Sequence, residues 1–189
     1  GTPYFGRLFT GLLKPKVTTP GTDLSGVVEA IGANVTKFKI GDRIMAETGL
    51  NCGTYAEYIC MSQDDLIVHQ PDNTTAEQAT GIIDGASTTL AFFTDAVTIT
   101  PGQKILIKGA SGSIGTAAIQ IAKQVGAEVT AVCSGKNKAL VFDLGADSFL
   151  DYTTNDLETT TQKFDIVFDT VGKMSFSQGK KLLIDKGAF

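Results

Sequence analysis

The sequence has no tryptophan, a single histidine (His69) and only three cysteines. Cys52, Cys60 and Cys133 are odd in number and show no CxxC spacing. That argues against a disulfide framework and a cysteine-rich zinc site, and it fits a reducing cytosol. There is no excess of basic residues: the net charge is −4, and lysines gather only in short groups such as Lys136 with Lys138. A nucleic-acid or anionic-membrane partner would need a positive surface, so neither is expected. No apolar run approaches the ~20 residues of a membrane helix. No initiator methionine or signal-peptide pattern opens the chain at "GTPYFG". The expected location is cytoplasmic.

What is present is 42% hydrophobic residues and 21 glycines in 189 positions, as in a globular protein rich in turns. This length suits one full domain or parts of two. The closing "KLLIDKGAF" reads as a helix end, a glycine turn and the first residues of another strand. The chain is therefore expected to be an internal piece of a longer protein.

Two patterns divide the chain. Up to about residue 72, short β-like runs alternate with turns: "SGVVEAIG" (25–32), "GDRIMAE" (41–47), "GTYAEYICM" (53–61) and "DLIVHQP" (65–71). Such runs predict a barrel or sandwich. The period then changes. Thr74 with Glu77, or Thr75 with Gln78, supplies a capping box, and a second helix is expected to carry Leu90, Phe93 and Val97 on one face before Pro101-Gly102. From Lys104 the order is βαβαβ. "KILIK" is a nearly continuous apolar strand, followed by a helix stripe of Ile114, Ala117, Ala118, Ile121, Ala122 and Val125. "EVTAVC" (128–133), "NKALVFDLGA" (137–146), "SFLDY" (148–152) and "FDIVFDTV" (164–171) continue the alternation. This predicts an α/β fold with a doubly wound parallel (Rossmann) sheet. The expected domains are 1–84, β-rich, and 85–189, a linking helix with part of the Rossmann domain.

Between the first strand and its helix lies Gly109-Ala110-Ser111-Gly112-Ser113-Ile114-Gly115. Against the dinucleotide fingerprint G-x-G-x-x-G, Ala110 takes the first position, Gly112 the second and Gly115 the third. The physical demands survive. Gly112 lets a pyrophosphate approach the backbone, Gly115 lets the helix lie close on the strand, and unsatisfied N–H groups at the helix start attract the anion. Rivals fit less well. A triphosphate P-loop would need Lys-Ser/Thr after the last glycine, where Thr116-Ala117 stands. A hydrolase elbow, G-x-S-x-G, has Ser113 in a glycine position, and His69 precedes the serine instead of following it. A tight turn without a ligand is the plain alternative.

NAD sites carry Asp or Glu at the end of the second strand, gripping the ribose 2′-hydroxyl. Here that strand ends Cys133-Ser134-Gly135-Lys136-Asn137-Lys138, with no carboxylate. A hydroxyl and two ammonium groups favour a 2′-phosphate, hence NADP(H); either lysine could instead be a solvated helix residue.

Fingerprint, small β domain and linking helices together make the sequence resemble the medium-chain dehydrogenase/reductase superfamily. Within it, the chain is similar to the zinc-independent quinone oxidoreductase (zeta-crystallin-like) branch. The matching pieces are "GTDLSGVVEAIGANVTKFKIGDRIMA", "GTYAEYI", "TPGQKILIKGASGSIGTAAIQIAKQVGAEVTAVCS", "LGADSFLDY" and "FDIVFDTVG". The resemblance implies that residues 1–84 are part of a GroES-like β-barrel catalytic or substrate domain, with further portions on both sides. Zinc-dependent relatives carry Gly-His-Glu where this chain has Gly21-Thr22-Asp23, and a cysteine run absent between Met45 and Tyr55, so no metal is expected. Without a Lewis acid, reduction of a quinone or an α,β-unsaturated carbonyl fits better than alcohol oxidation, because hydride attack gives a delocalised anion that water or a weak acid can protonate. By the resemblance, Ser111, Gly112, Ser113 and Ile114 line the pyrophosphate. Ser134 with Lys136 or Lys138 or both holds the 2′-phosphate, beside Tyr152. Thr88 lies near the nicotinamide, and Val171 faces the crevice at the end of the fourth strand. Asp84, in "GIIDGAS", departs from the family's apolar run. His69 is expected to be a surface or packing residue and Cys52 a packing one, and no proton donor is assigned. The implied assembly is a homodimer when full length. Alternatives are a catalytically silent NADP(H)-binding structural or sensor protein, or an alcohol or aldehyde dehydrogenase of the same superfamily.

Overall fold

The structure is a computed structural model that describes residues 18–154, 157 and 160–189; the first seventeen residues of the first expected domain lie outside them. The chain divides into two units between Ile83 and Asp84. In the first unit β1 (Asp23–Val27), β2 (Arg43–Glu47) and β3 (Leu66–His69) form an antiparallel sheet in that order. Ile44 and Ala46 of the central strand are buried. Gln70, 5% exposed, is satisfied on both ends of its amide. It accepts from the Ser25 hydroxyl (2.8 Å) and donates to the Thr74 carbonyl (2.9 Å).

Two strand expectations are corrected here. β1 ends at Val27, and its pairing closes with the Val28 N–H on Asp42 O (2.9 Å); Gly32 then opens a turn that the Val35 N–H closes. Gly53–Met61 forms no strand. Glu57 interrupts the face of Tyr55, Ile59 and Met61, and Ala56, Tyr58 and Cys60 on the other face are exposed. Tyr55 is exposed too, and among the described residues only the Thr54 and Tyr55 amides bond back, to Gly21 O and Pro20 O.

α1 (Ala76–Ala91) starts at the Thr75–Gln78 capping box: the Gln78 N–H donates to the Thr75 hydroxyl and the Thr75 N–H to the Gln78 side chain. The expected second helix is a continuation of this one. Gly81 and Gly85 do not interrupt it, and it ends in a π turn, Phe92–Ala96, closed by the Val97 N–H on Phe92 O (3.0 Å). The wide turn shifts the helical phase, so Phe93 is buried while Leu90 stays exposed.

The second unit is built on β4 (Lys104–Lys108), β5 (Glu128–Cys133), β6 (Ser148–Asp151), β7 (Phe164–Asp169) and β8 (Leu183–Ala188), all parallel, in the order β6-β5-β4-β7-β8. Helices α2 (Ser113–Val125), α3 (Lys138–Asp143) and α4 (Phe176–Leu182) connect them. β4 is central, and its side chains feed two apolar layers. Ile105 and Ile107 join Val129, Ala131, Ala118, Ile119 and Val141 on one face. Leu106 joins Val132, Val167, Phe164 and Leu182 on the other. Cover on both faces is what an uninterrupted apolar strand requires. The chain's last segment also departs from expectation. No turn separates α4 from the next strand; β8 begins at Leu183, and Lys186 (φ 65°) with Gly187 forms an irregularity inside it.

One ion pair staples α2 to β6's approach. Lys123 Nζ donates to both Asp147 oxygens (2.8 Å each) and to Ala127 O (3.0 Å), and Asp147 accepts the Val129 N–H (2.7 Å). Partial burial raises the Asp147 pKa, but Lys123 and the Val129 amide outweigh it and hold the carboxyl below its ordinary value. A lowered folded-state pKa stabilises above the unfolded value and stops doing so as pH falls through the folded one. Asp147→Asn is therefore expected to cost about 1 kcal/mol at neutral pH, solvent screening keeping the value small. Thermal melts should show the two proteins converging in acid, below the ordinary carboxylate range.

Candidate functional site

Sheet order reverses between β4 and β7, so a crevice opens at their carboxyl ends. The two ends are tied together: the Thr170 hydroxyl donates to Lys108 O (2.9 Å) and its N–H to the same carbonyl (3.1 Å). Gly109 comes next with φ 80°, where a Cβ would lie 2.5 Å from Thr170 Oγ1 and from Val171 Cγ2. Only glycine tolerates both the left-handed backbone and the contact. At Gly115 a Cβ would collide with Gly109 O and lie 2.7 Å from Ala110 Cα, so helix and bend touch backbone to backbone.

The bend ends in a helix start without a cap. Gly112 occupies the N-cap position of α2 and no side chain bonds the first-turn amides. The half-charge at a 13-residue helix terminus and its free N–H groups therefore face the crevice. Gly112 is exposed, and a Cβ there would lie 3.3 Å from Gly109 O. Ser113 is exposed and Ile114 half-buried. Behind them α1 presses on α2. A Cβ at Gly85 would lie 2.6 Å from Ser113 O, and Thr89, fully buried, donates its hydroxyl to Gly85 O (2.7 Å) and lies 3.1 Å from Ile114 O. Thr88, the residue singled out from the sequence, is half-buried one position earlier; the hydroxyl that reaches α2 is that of Thr89. The small-residue run "GAST" is the sequence signal for this contact.

Ser111 is turned toward the protein. Its hydroxyl accepts from Asn137 Nδ2 (2.8 Å) and bonds the Cys133 thiol, whose pKa burial pushes up. It braces the bend against the end of β5. Ser134 is half-buried and Lys136 exposed, in the turn Gly135–Asn137. Lys138 is exposed, but its ammonium sits 5.9 Å from the Phe142 ring centre and 6.0 Å from that of Phe149. That is cation–π distance.

Tyr152 is 59% exposed and lines a cleft of about 440 Å³ with Lys108, Thr153, Lys173, Gln178 and Lys181. None of these three lysines stands out in the sequence; the carboxyl end of β4, the turn after β7 and the last turn of α4 bring them together. Val171, exposed, lies at the crevice beside Thr170, its N–H held by Asp169 (3.0 Å). An apolar cleft of about 430 Å³ borders Ile114 and Thr170, lined by Phe92, Phe93 and Phe168. Elsewhere, Asp84 is exposed, and His69 contacts Asp42 (3.1 Å) and the Phe38 ring. Asp42 is held below the usual carboxylate range by the Lys39 amide first, with His69 adding to it. Cys52, Cys60 and Cys133 are free thiols. Among the described residues no His, Cys, Asp or Glu group is placed to hold a metal ion, and no helix is long and apolar enough to cross a membrane.

The family description "Alcohol dehydrogenase GroES-like domain" matches residues 5–72, and "Zinc-binding dehydrogenase" matches residues 113–189. The chain is 35% identical over 173 residues to the mitochondrial NAD(P)H oxidoreductase RTN4IP1 of Bos taurus, covering 87% of this chain and 43% of that protein. It is 33% identical to the chloroplastic NADPH-dependent alkenal/one oxidoreductase of Arabidopsis thaliana, covering 84% and 43% respectively. Among solved structures, the quinone oxidoreductase from Coxiella burnetii matches with a TM-score of 0.84 at 30% identity, covering 97% of this chain and 57% of that one. The chain thus spans about half the length of the relatives it matches.

The backbone packing at Gly115 is directly testable. Gly115→Ala drives a methyl into backbone atoms that have no free rotation, and should cost about 2 kcal/mol. A melting temperature within a degree of wild type would show that the bend and α2 are not in contact there.

Proposed function

Because the chain belongs to the medium-chain dehydrogenase/reductase superfamily, we propose that the full-length protein is an NADPH-dependent oxidoreductase that reduces a quinone or an α,β-unsaturated carbonyl without a metal. The observation that carries the reading is the uncapped start of α2 above a bend that packs against the Thr170 and Val171 side chains at Gly109 and backbone to backbone at Gly115. Such a surface suits a pyrophosphate, which needs N–H donors and cannot share the space with side chains.

Bound NADPH would supply the hydride. The chain's own part is to hold and orient. The amides of Ser113 and Ile114 would face the pyrophosphate; Gly112, whose own N–H is held by Gly109 O (2.9 Å), would let it approach, and Ser111 acts through its brace to Asn137 and Cys133. Ser134 and Lys136 serve the 2′-phosphate, with Tyr152 beside it; Lys138, occupied over Phe142 and Phe149, contributes less. Val171 borders the nicotinamide side, and Thr88 lies on the helix that backs it. The relatives named for NAD(P)H, alkenal and quinone chemistry support this cofactor and this acceptor class. The metal-free reading rests on Gly21-Thr22-Asp23, which lacks an imidazole ligand.

Stopped-flow loss of NADPH absorbance by the full-length protein against a quinone and enone panel tests the activity. Tight NADPH binding without turnover across the panel would favour a silent nucleotide-binding protein. Lys136→Glu should weaken NADPH by about tenfold or more and NADH by less than about twofold, since the reversed charge repels only the 2′-phosphate. Lys138→Glu should do markedly less. Equal weakening of both cofactors by Lys136→Glu, in a fluorescence titration, would refute the assignment.

A further inference from the structure

The end of β5 carries no carboxylate in the sequence, yet the fold returns one to it. In the parallel register Cys133 stands opposite Asp151, the last residue of β6. The Asp151 carboxylate reaches across to the turn after β5. The Gly135 N–H donates to it, and a Cβ on Gly135 would collide with its Oδ2. The other oxygen accepts the Thr153 hydroxyl (2.7 Å) and the Thr153 N–H (2.9 Å). Those donors, Thr153 first, hold its pKa below the ordinary carboxylate value, so it is anionic at neutral pH. Lys136, the next residue after Gly135, is exposed. A negative and a positive charge therefore flank the place where a dinucleotide's adenosine ribose is read.

Resting on the oxidoreductase reading above, we propose that Asp151 is a specificity-determining residue of the ribose end, limiting the preference for NADPH over NADH. A 2′-phosphate brings about −1.5 to −2 charges at pH 7, a 2′-hydroxyl none. A fixed carboxylate beside it raises the energy of bound NADPH alone. The same carboxylate accepts a hydrogen bond from a 2′-hydroxyl and none from a fully ionised phosphate. Both contributions work against Lys136, and glycine at 135 is what admits the carboxylate to this position.

Asp151→Asn removes the charge while keeping one acceptor oxygen for the Thr153 hydroxyl and N–H; its NH2 group replaces the oxygen on the Gly135 side. Calorimetric or fluorescence titration of the full-length protein with NADPH and NADH should show the Kd ratio, NADH over NADPH, rising roughly tenfold. Asp151→Ala should raise the same ratio while weakening both nucleotides, since the turn holding Ser134 and Lys136 loses its anchor; it serves as the second reading if the asparagine variant does not fold. A ratio within about twofold of wild type in whichever variant folds overturns the inference and leaves the cofactor reading standing. Wild-type protein that binds neither nucleotide overturns the cofactor reading itself, and this inference with it.

Discussion

Backbone-to-backbone contact around residues 109–115 is the constraint on which the second unit depends. The bend touches the end of β7 at Gly109, the first turn of α2 folds back on it at Gly115, and α1 presses from behind at Gly85. Three segments distant in sequence meet where a single methyl would be too large. The result is a rigid floor whose upper surface consists of amides and not side chains. An anion bound there would meet geometry more than net charge, which suits a chain with a net charge of −4.

Charge is used sparingly, and at the ends of strands. Asp147, Asp151 and Asp169 each terminate or approach a strand of the parallel sheet, and each binds neighbouring backbone amides in addition to any cation. Asp169 holds the Val171 and Met174 amides and lies 3.8 Å from Lys108. Carboxylates in this arrangement act as turn-formers whose negative charge is a by-product. At Asp151 that by-product lies beside the turn after β5, where the proposed ribose site would feel it.

The parallel sheet is legible in the sequence because its cause is local. An uninterrupted apolar run such as Ile105–Ile107 needs two covered faces, and the periodic stripe of α2 supplies one of them. The GroES-like unit is less so. Its first and third strands end where turn chemistry intervenes, and Gly53–Met61 has strand-forming residues without a buried face. Within the crevice, the glycine bend can be read from spacing alone. The lysines at 108, 173 and 181 cannot, because register and crossover bring them together; Thr89 and Asp151 each stand one residue from a position that the sequence does single out, Thr88 and Tyr152. Lys138, whose position suggests a phosphate ligand, has its ammonium near the Phe142 and Phe149 rings of α3 and β6.

The π turn at Phe92–Ala96 accommodates one residue more than a regular helical turn would. Removing that residue would restore ordinary winding with little change of phase, because the wide turn closes with one more residue where a regular turn closes with one fewer. Gly85 and Thr89 would keep their places on Ser113 and Ile114, and Phe93 could stay against the Phe168 ring, 5.2 Å away. Deleting a residue from the regular helix before the turn would instead rotate the two sides by about 100° and carry Gly85 off Ser113. Length variation between homologues should therefore collect within this turn and not in the helix before it.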